Sequence, residues 1–398
     1  MKKRAKDMKN CPVCNVEVER DIDICPECGH QFLTDQEDAN QVEEVEVKEV
    51  SKEEKNKSKK DNNHRPTVNK LDKDAKKSMT VRIITAVILA LLVVPAFFVG
   101  GWWFIVVVFI TLSIAIYEFI KATQVKKGFV FLYLFVYIMT YSLTFWIFMK
   151  NNMIANEANG IHPFNVKEWH FYTGFERLEV STFGILVTLM FIVITLIFVP
   201  KFDFSTASYI FFMIIIVGLG FQAFLFLRFF PQHMANDYDV GFTSKGVISS
   251  FLLLYVVIGT IGTDIGAYFV GVLFGKRKLI PRISPNKTVE GFIGGIVLSF
   301  VASFLFALIC SLVGNPILPF LSHHQWYYIV LISILMPFFA TLGDLFFSLI
   351  KRKFDIKDFG NILKGHGGIL DRIDSLLVVA LAVSIIIIFM HNGWSFLV

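Results

Sequence analysis

GDLFFSLIKRKFDIKDFGNILKGHGGILDRIDS, from Gly343 to Ser375, leaves an apolar segment that carries one acid, crosses a basic loop punctuated by glycines, and enters a second apolar segment that carries two acids. In GTDIGAYFVGVLFGKRKLIPRISPNKTVEGFIGG, from Gly262 to Gly295, an apolar segment carrying one acid likewise runs into a basic loop. An acid within an apolar span beside such a loop is the composition that holds metal ions and phosphates at a membrane surface. These stretches therefore predict membrane-spanning helices with chemistry at their ends.

The rest of the chain agrees. Of 398 residues, 55% are hydrophobic, 43 are Phe and only 18% are charged, which argues against a soluble globular domain. From about Val81 onward there are nine apolar segments, 81–99, 102–120, 128–149, 181–199, 209–227, 246–274, 292–313, 326–350 and 374–390. Each approaches the ~20 residues that a helix needs to cross the hydrocarbon core. The expected fold is an all-α polytopic membrane protein of about nine transmembrane helices with a small β zinc ribbon at its N-terminus. The first span is not a cleaved signal, because about eighty polar residues precede it. Gly100 and Gly101 join the first two spans, with Pro95 as an alternative mark of a re-entrant element.

Orientation follows from Lys and Arg. With the N-terminus inside, the inner loops hold fifteen of them and the outer loops five, Arg228 among the latter. The acidic and basic loops then face the cytoplasm and the C-terminus lies outside. The net charge of +5 says little by itself, because the basic residues cluster at the inner surface, where anionic headgroups, nucleotide phosphates or both are the partners. No nucleic acid is indicated.

Residues 1–34 read as a zinc-ribbon-like head. Cys11, Cys14, Cys25 and Cys28 form two CxxC knuckles ten residues apart, a closed tetrahedral set for a structural Zn²⁺. A β-hairpin about Arg20–Asp21 is expected between them. His30 reads as a neighbour rather than a fifth ligand. Residues 35–79 pass from acidic to Lys-rich and read as a disordered tether; residues 80–398 are the transmembrane domain. Cys310, alone in the seventh span, reads as a packing residue.

Four acids are candidates for catalysis. Asp264 shares a helix face with Tyr268, and Asp344 with Ser348, at i, i+4; Asp371 and Asp374 share one at i, i+3. The competing reading is helix packing, and for the last pair N-terminal capping. Ser284, Lys287 and Thr288 precede a helix expected near Val289 and suit phosphate. Lys351 and Arg352 read as substrate-binding residues or as an anchor at the inner surface. Gly367 and Gly368 let backbone approach a ligand, and His366 reads as a phosphate contact or a plain turn residue.

The run Ser348-Leu-Ile-Lys351-Arg352, then Lys357-Asp358-Phe-Gly360, then His366-Gly367-Gly368-Ile-Leu-Asp371-Arg372-Ile-Asp374 resembles the signature of the phosphatidate cytidylyltransferases, the CDP-diacylglycerol synthases. The block from Asp264 to Gly295 is similar to that family too, and the likeness covers about residues 80–398. Lys364 and Asn286 depart from its usual pattern. The resemblance implies an integral protein of the cell membrane that transfers a cytidylyl group from CTP to phosphatidic acid. It implies Mg²⁺ held by Asp344 and Asp371 with Asp374 and Asp264 in support, K⁺ beside it, and phosphate oxygens held by Lys287, Ser284, Thr288 and Arg372. A homodimer and an unidentified partner for the ribbon complete the expected associations. The competing functions are a CTP-dependent transferase for another lipid, and a transporter or assembly factor, which would spread its acids across the membrane.

Overall fold

The computed structural model describes residues 8–10, 17–19, 87, 89–123, 130–158, 181–199, 202–237, 250–363 and 367–392. The chain divides into two units, Met1–Lys73 and Asp74–Val398. In the first, β1 (Met8–Asn10) pairs antiparallel with β2 (Glu17–Glu19), with Lys9 opposite Val18. This pair brackets the first CxxC knuckle, whereas the expected hairpin was centred on Arg20–Asp21. The four cysteines, the turn and the tether lie outside the described residues.

The described residues of the second unit are mostly helical: α1 (Leu89–Val99), α2 (Gly101–Ala122), α3 (Val130–Ala158), α4 (Thr182–Phe198), α5 (Phe204–Asp237), α6 (Phe251–Phe274), α7 (Val289–Leu312), α8 (Trp326–Lys353) and α9 (Leu370–Asn392). Helices satisfy their own backbone polar groups, which lipid cannot do. Among the described residues six are long and apolar enough to cross a membrane, namely α2, α5, α6, α7, α8 and α9. The apolar parts of α1, α3 and α4 are shorter: Leu89–Val99, Val130–Trp146 and Thr182–Phe198.

The reversal between α1 and α2 falls at Gly100 and Gly101, whose φ values of 68° and 56° are open to glycine at little steric cost. Arg228 meets this turn and corrects the expected outer loop. Because α5 continues past the anticipated end at 227, Arg228 lies within the helix at 1% exposure. Its Nε donates to Phe97 O at 3.1 Å and its Nη2 to Phe98 O at 3.5 Å. The cation thus caps the carbonyl end of α1, the sign that a helix C-terminus favours.

Close backbone contacts set the register of the C-terminal helices. A Cβ at Gly295 of α7 would lie 2.8 Å from Thr263 O of α6, and Ser299 Oγ donates to Gly259 O at 2.7 Å. Small residues let helices approach to this distance where lipid gives no hydrophobic drive. A Cβ at Gly343 of α8 would lie 3.1 Å from Ser375 Cα of α9, so those helices are equally close. Tyr255 of α6 hydrogen-bonds Ser333 of α8 at 2.7 Å, and Tyr209 of α5 donates to Phe119 O of α2 at 3.0 Å. These contacts bring the C-terminal ends of α6 and α8 beside the N-terminal ends of α7 and α9.

Between α6 and α7, where a plain loop was expected, the chain forms a hairpin of β3 (Lys278–Ile280) and β4 (Ser284–Thr288). Lys278 pairs with Thr288 and Ile280 with Ser284, with a bulge between. Its base is closed by Val289 N donating to Arg277 O at 2.9 Å, and by Glu290, which accepts from Lys276 N at 3.0 Å and Arg277 N at 3.2 Å.

Candidate active site

A cavity of about 240 Å³ opens between the ends of α6, α7 and α8 and the hairpin. Asp264 and Tyr268 of α6 both line it, on one helix face as their spacing predicts, with Asn286, Lys287, Thr288, Thr341 and Asp344 opposite. The Lys287 ammonium forms an ion pair with Asp344 Oδ2. Ser348 Oγ donates to Asp344 Oδ1 at 3.3 Å, so that pair also shares a face. Asp264 interacts electrostatically with both Asp344 and Lys287.

Thr288 is the N-cap of α7: its Oγ1 accepts from Gly291 N at 3.1 Å. The cap uses the acceptor side of the hydroxyl, which leaves its proton for a ligand. Ser284 sits opposite Ile280 at the far end of the hairpin and is not among the cavity-lining residues. Arg352, exposed at the end of α8, lies near the hairpin, with Nε 3.5 Å from Ile283 O.

The second group of acids lies at the start of α9. Lys351 Nζ is 3.1 Å from Asp371 Oδ1 and 3.8 Å from Asp374 Oδ2, so the two aspartates face one cation. Asp371 Oδ2 accepts from Phe359 N at 2.8 Å and Gly368 N at 3.1 Å. One carboxylate thus engages backbone N–H groups through Oδ2 and a cation through Oδ1. Gly367, at φ 84°, takes the left-handed turn that leads into the helix, a conformation favouring glycine. Arg372 is exposed, one residue beyond Asp371. His366 lies outside the described residues.

The two groups are neighbours, because Gly343, next to Asp344, packs against Ser375, next to Asp374, where a Cβ would lie 3.1 Å from Ser375 Cα. Among the described residues, no three His, Cys, Asp or Glu side chains converge closely enough to hold a metal as they stand. A lysine sits with each acid group: Lys287 on Asp344, and Lys351 on Asp371 and Asp374. The donors nevertheless suit Mg²⁺, a hard cation that takes one or two carboxylates and fills its other positions with water and substrate phosphate.

One residue central to this geometry went unread in the sequence. Glu118, in the last turns of α2, is 1% exposed, and its Oε1 and Oε2 accept from Ile369 N at 3.0 Å and Leu370 N at 2.8 Å. The available signal was that an acid inside an apolar span is costly and normally functional; Glu118 met that condition within the segment 102–120.

Fold and site together define an integral membrane protein with a polar centre built at the ends of its C-terminal helices. The sequence model of the Cytidylyltransferase family matches residues 80–390, and the chain belongs to that family. It is 34% identical over 306 residues to the phosphatidate cytidylyltransferase of Bacillus subtilis (strain 168), covering 76% of this chain and 94% of that protein. It is 35% identical over 218 residues to the phosphatidate cytidylyltransferase of Staphylococcus epidermidis (strain RP62A), covering 54% of this chain and 72% of the relative. The phosphatidate cytidylyltransferase of Staphylococcus aureus (strain COL) is 37% identical over 207 residues, covering 51% of this chain and 68% of the relative.

Proposed function

We propose that this membrane enzyme transfers the cytidylyl group of CTP to phosphatidic acid, giving CDP-diacylglycerol and pyrophosphate. The observation that carries this reading is the cavity where Asp264, Asp344 and Lys287 meet, with Asp371, Asp374 and Lys351 as the neighbouring group. A phosphatidate oxygen attacks the α-phosphorus of CTP, the bond from that phosphorus to the bridging oxygen breaks, and pyrophosphate departs with the electron pair. No strong general base is needed, since the phosphatidate oxygen is already ionised at neutral pH.

Both reactants are polyanions, so the centre must neutralise charge and hold attacking and leaving oxygens in line. Asp344 and Asp371 are the proposed Mg²⁺ ligands, with Asp374 and Asp264 in support and K⁺ as a second cation. When bound, Mg²⁺ supplies charge neutralisation at the α-phosphoryl group and the leaving pyrophosphate. Lys287, freed from Asp344, is the proposed partner of triphosphate or phosphatidate oxygens, and Thr288 and Arg372 add donors. Ser284 and Arg352 are proposed contacts for the more distant phosphates, and His366, Gly367 and Gly368 for a ligand at the loop.

The clustering of Lys and Arg at these helix ends supports a cytoplasmic centre and a cytoplasmic N-terminus. Nine membrane-embedded segments with an outer C-terminus fit that orientation if α1, α3 and α4 complete the set. Four cysteines at CxxC spacing, with a strand pair flanking the first knuckle, support a structural Zn²⁺ in the head. The test of the reaction is incubation of the purified protein with labelled CTP, Mg²⁺ and a panel of lipid acceptors. Mg²⁺-dependent CDP-diacylglycerol from phosphatidate is expected. Labelling of a different lipid in preference, or of none, would overturn the assignment.

A further inference from the structure

We propose that Glu118 is a positioning residue for the transfer centre, holding the start of α9 so that Asp371 and Asp374 face Lys351 and the substrates. This rests on the reaction proposed above. The first observation is cost: Glu118 is buried within α2, where a carboxylate is retained only if something engages it. What engages it is the N-terminus of α9, through Ile369 N and Leu370 N. Both oxygens act as acceptors, as an ionised carboxylate does.

The second observation is steric. A Cβ at Gly368 would lie 2.6 Å from Glu118 Oε2, and one at Gly360 would overlap Glu118 Oε1. Two glycines of the 357–368 segment are thus fitted around one carboxylate from a helix some 240 residues earlier. The third is connectivity. Asp371 Oδ2 grips the opposite side of the same loop through Phe359 N and Gly368 N, which leaves Oδ1 facing Lys351. Glu118 and Asp371 therefore hold Phe359 and Gly368–Leu370 between them. A local Ser, Thr, Asp or Asn could cap α9 at similar benefit. A cap arriving from α2 does something more, because it registers the acids of α9 against the rest of the bundle.

The experiment compares wild type, Glu118→Gln, Glu118→Asp and Gly360→Ala as full-length proteins in lipid nanodiscs. Three readouts are needed: steady-state transfer kinetics, Mn²⁺ binding by electron paramagnetic resonance, and the thermal unfolding midpoint. A glutamine can accept only one of the two N–H groups and turns its own NH₂ toward the other. Glu118→Gln should lower kcat by about 10–100-fold and weaken Mn²⁺ binding by a similar factor, the range for groups that orient metal ligands. KM for CTP should hold, and Glu118→Asp should restore part of both losses. Gly360→Ala keeps the carboxylate but crowds it, so it should shift kcat and Mn²⁺ affinity in the same direction and decides the matter if Glu118→Gln does not fold. Wild-type kcat and Mn²⁺ affinity in folded Glu118→Gln or Gly360→Ala would overturn the proposal. So would a loss of activity that tracks loss of folded protein while the folded fraction binds Mn²⁺ normally. Absence of transfer by the wild type would instead sink the reaction, and the Mn²⁺ arm would still report on the clamp.

Discussion

Lys287 pairs with Asp344, and Lys351 with both Asp371 and Asp374, so ammonium groups offset the mutual repulsion of the carboxylates. Replacing Asp344 by Asn keeps the shape and removes the charge that a hard cation needs. Turnover should fall by more than the ~10–100-fold typical of outer-shell partners, with expression and membrane insertion unchanged. Near-normal activity at saturating Mg²⁺ would remove Asp344 from the proposed metal site. Lys287→Ala should act with two signs: kcat/KM for CTP or phosphatidate should fall by about 10–150-fold, the worth of a hydrogen bond to a charged group at about 1.5–3 kcal/mol. The Mg²⁺ requirement should meanwhile shift to lower concentration, since Asp344 loses its competing cation. Lys276, whose backbone N–H rather than its side chain is engaged by Glu290, should tolerate Ala; equal effects at the two lysines would reduce Lys287 to general basicity. The acids Asp264, Asp344, Asp371 and Asp374 were legible because carboxylates in or beside apolar spans are anomalous. Glu118 was equally anomalous, but its purpose depends on partners at Ile369 and Leu370, which no local spacing discloses.

The elements that carry the centre are held by unusually close helix contacts, and those make the site sensitive to changes that touch no ligand. A leucine at Gly295 would drive its side chain into Thr263 O, on the turn of α6 that presents Asp264. Overpacking of this kind costs about 1–3 kcal/mol. The thermal midpoint of Gly295→Leu should drop and transfer should fall with it, whereas a leucine at Val301, exposed on the same helix, should leave both unchanged. Wild-type stability and activity in Gly295→Leu would mean that α6 and α7 can separate without consequence. Six of the nine expected spans, those at α2 and α5 to α9, could be read from apolar length, because the bilayer fixes that length. Their ends were less legible: α5 extends to Asp237 and buries Arg228, since a charge near a helix end can turn inward when carbonyls await it. The β3–β4 hairpin was read as a loop because its strands are short, Pro281 and Pro285 interrupt the alternation, and no two-residue glycine turn announces it.

At the scale of the whole molecule, the described residues assigned to the centre all lie beyond Leu89, and the family match begins at residue 80. The unit Met1–Lys73 contributes none of the proposed ligands for CTP, lipid or Mg²⁺. A four-cysteine Zn²⁺ site stabilises the small fold that it closes, and the helical unit has its own packed core from α2 to α9. Deleting residues 1–73 should therefore leave cytidylyl transfer within about twofold of wild type, the scale of a change below ~0.5 kcal/mol at a remote site. Full-length and truncated proteins are to be compared in vesicles of the same lipid composition, with metal analysis expected to find one zinc per full-length chain and none in the truncated one. The Lys-rich sequence between residues 52 and 73 also predicts that the full-length protein associates more strongly with anionic vesicles than the truncated one, each basic residue contributing about 1 kcal/mol near such a surface. If truncation abolishes turnover while the helical unit keeps its thermal midpoint, the head acts on the centre directly, and the division of labour between the two units is wrong.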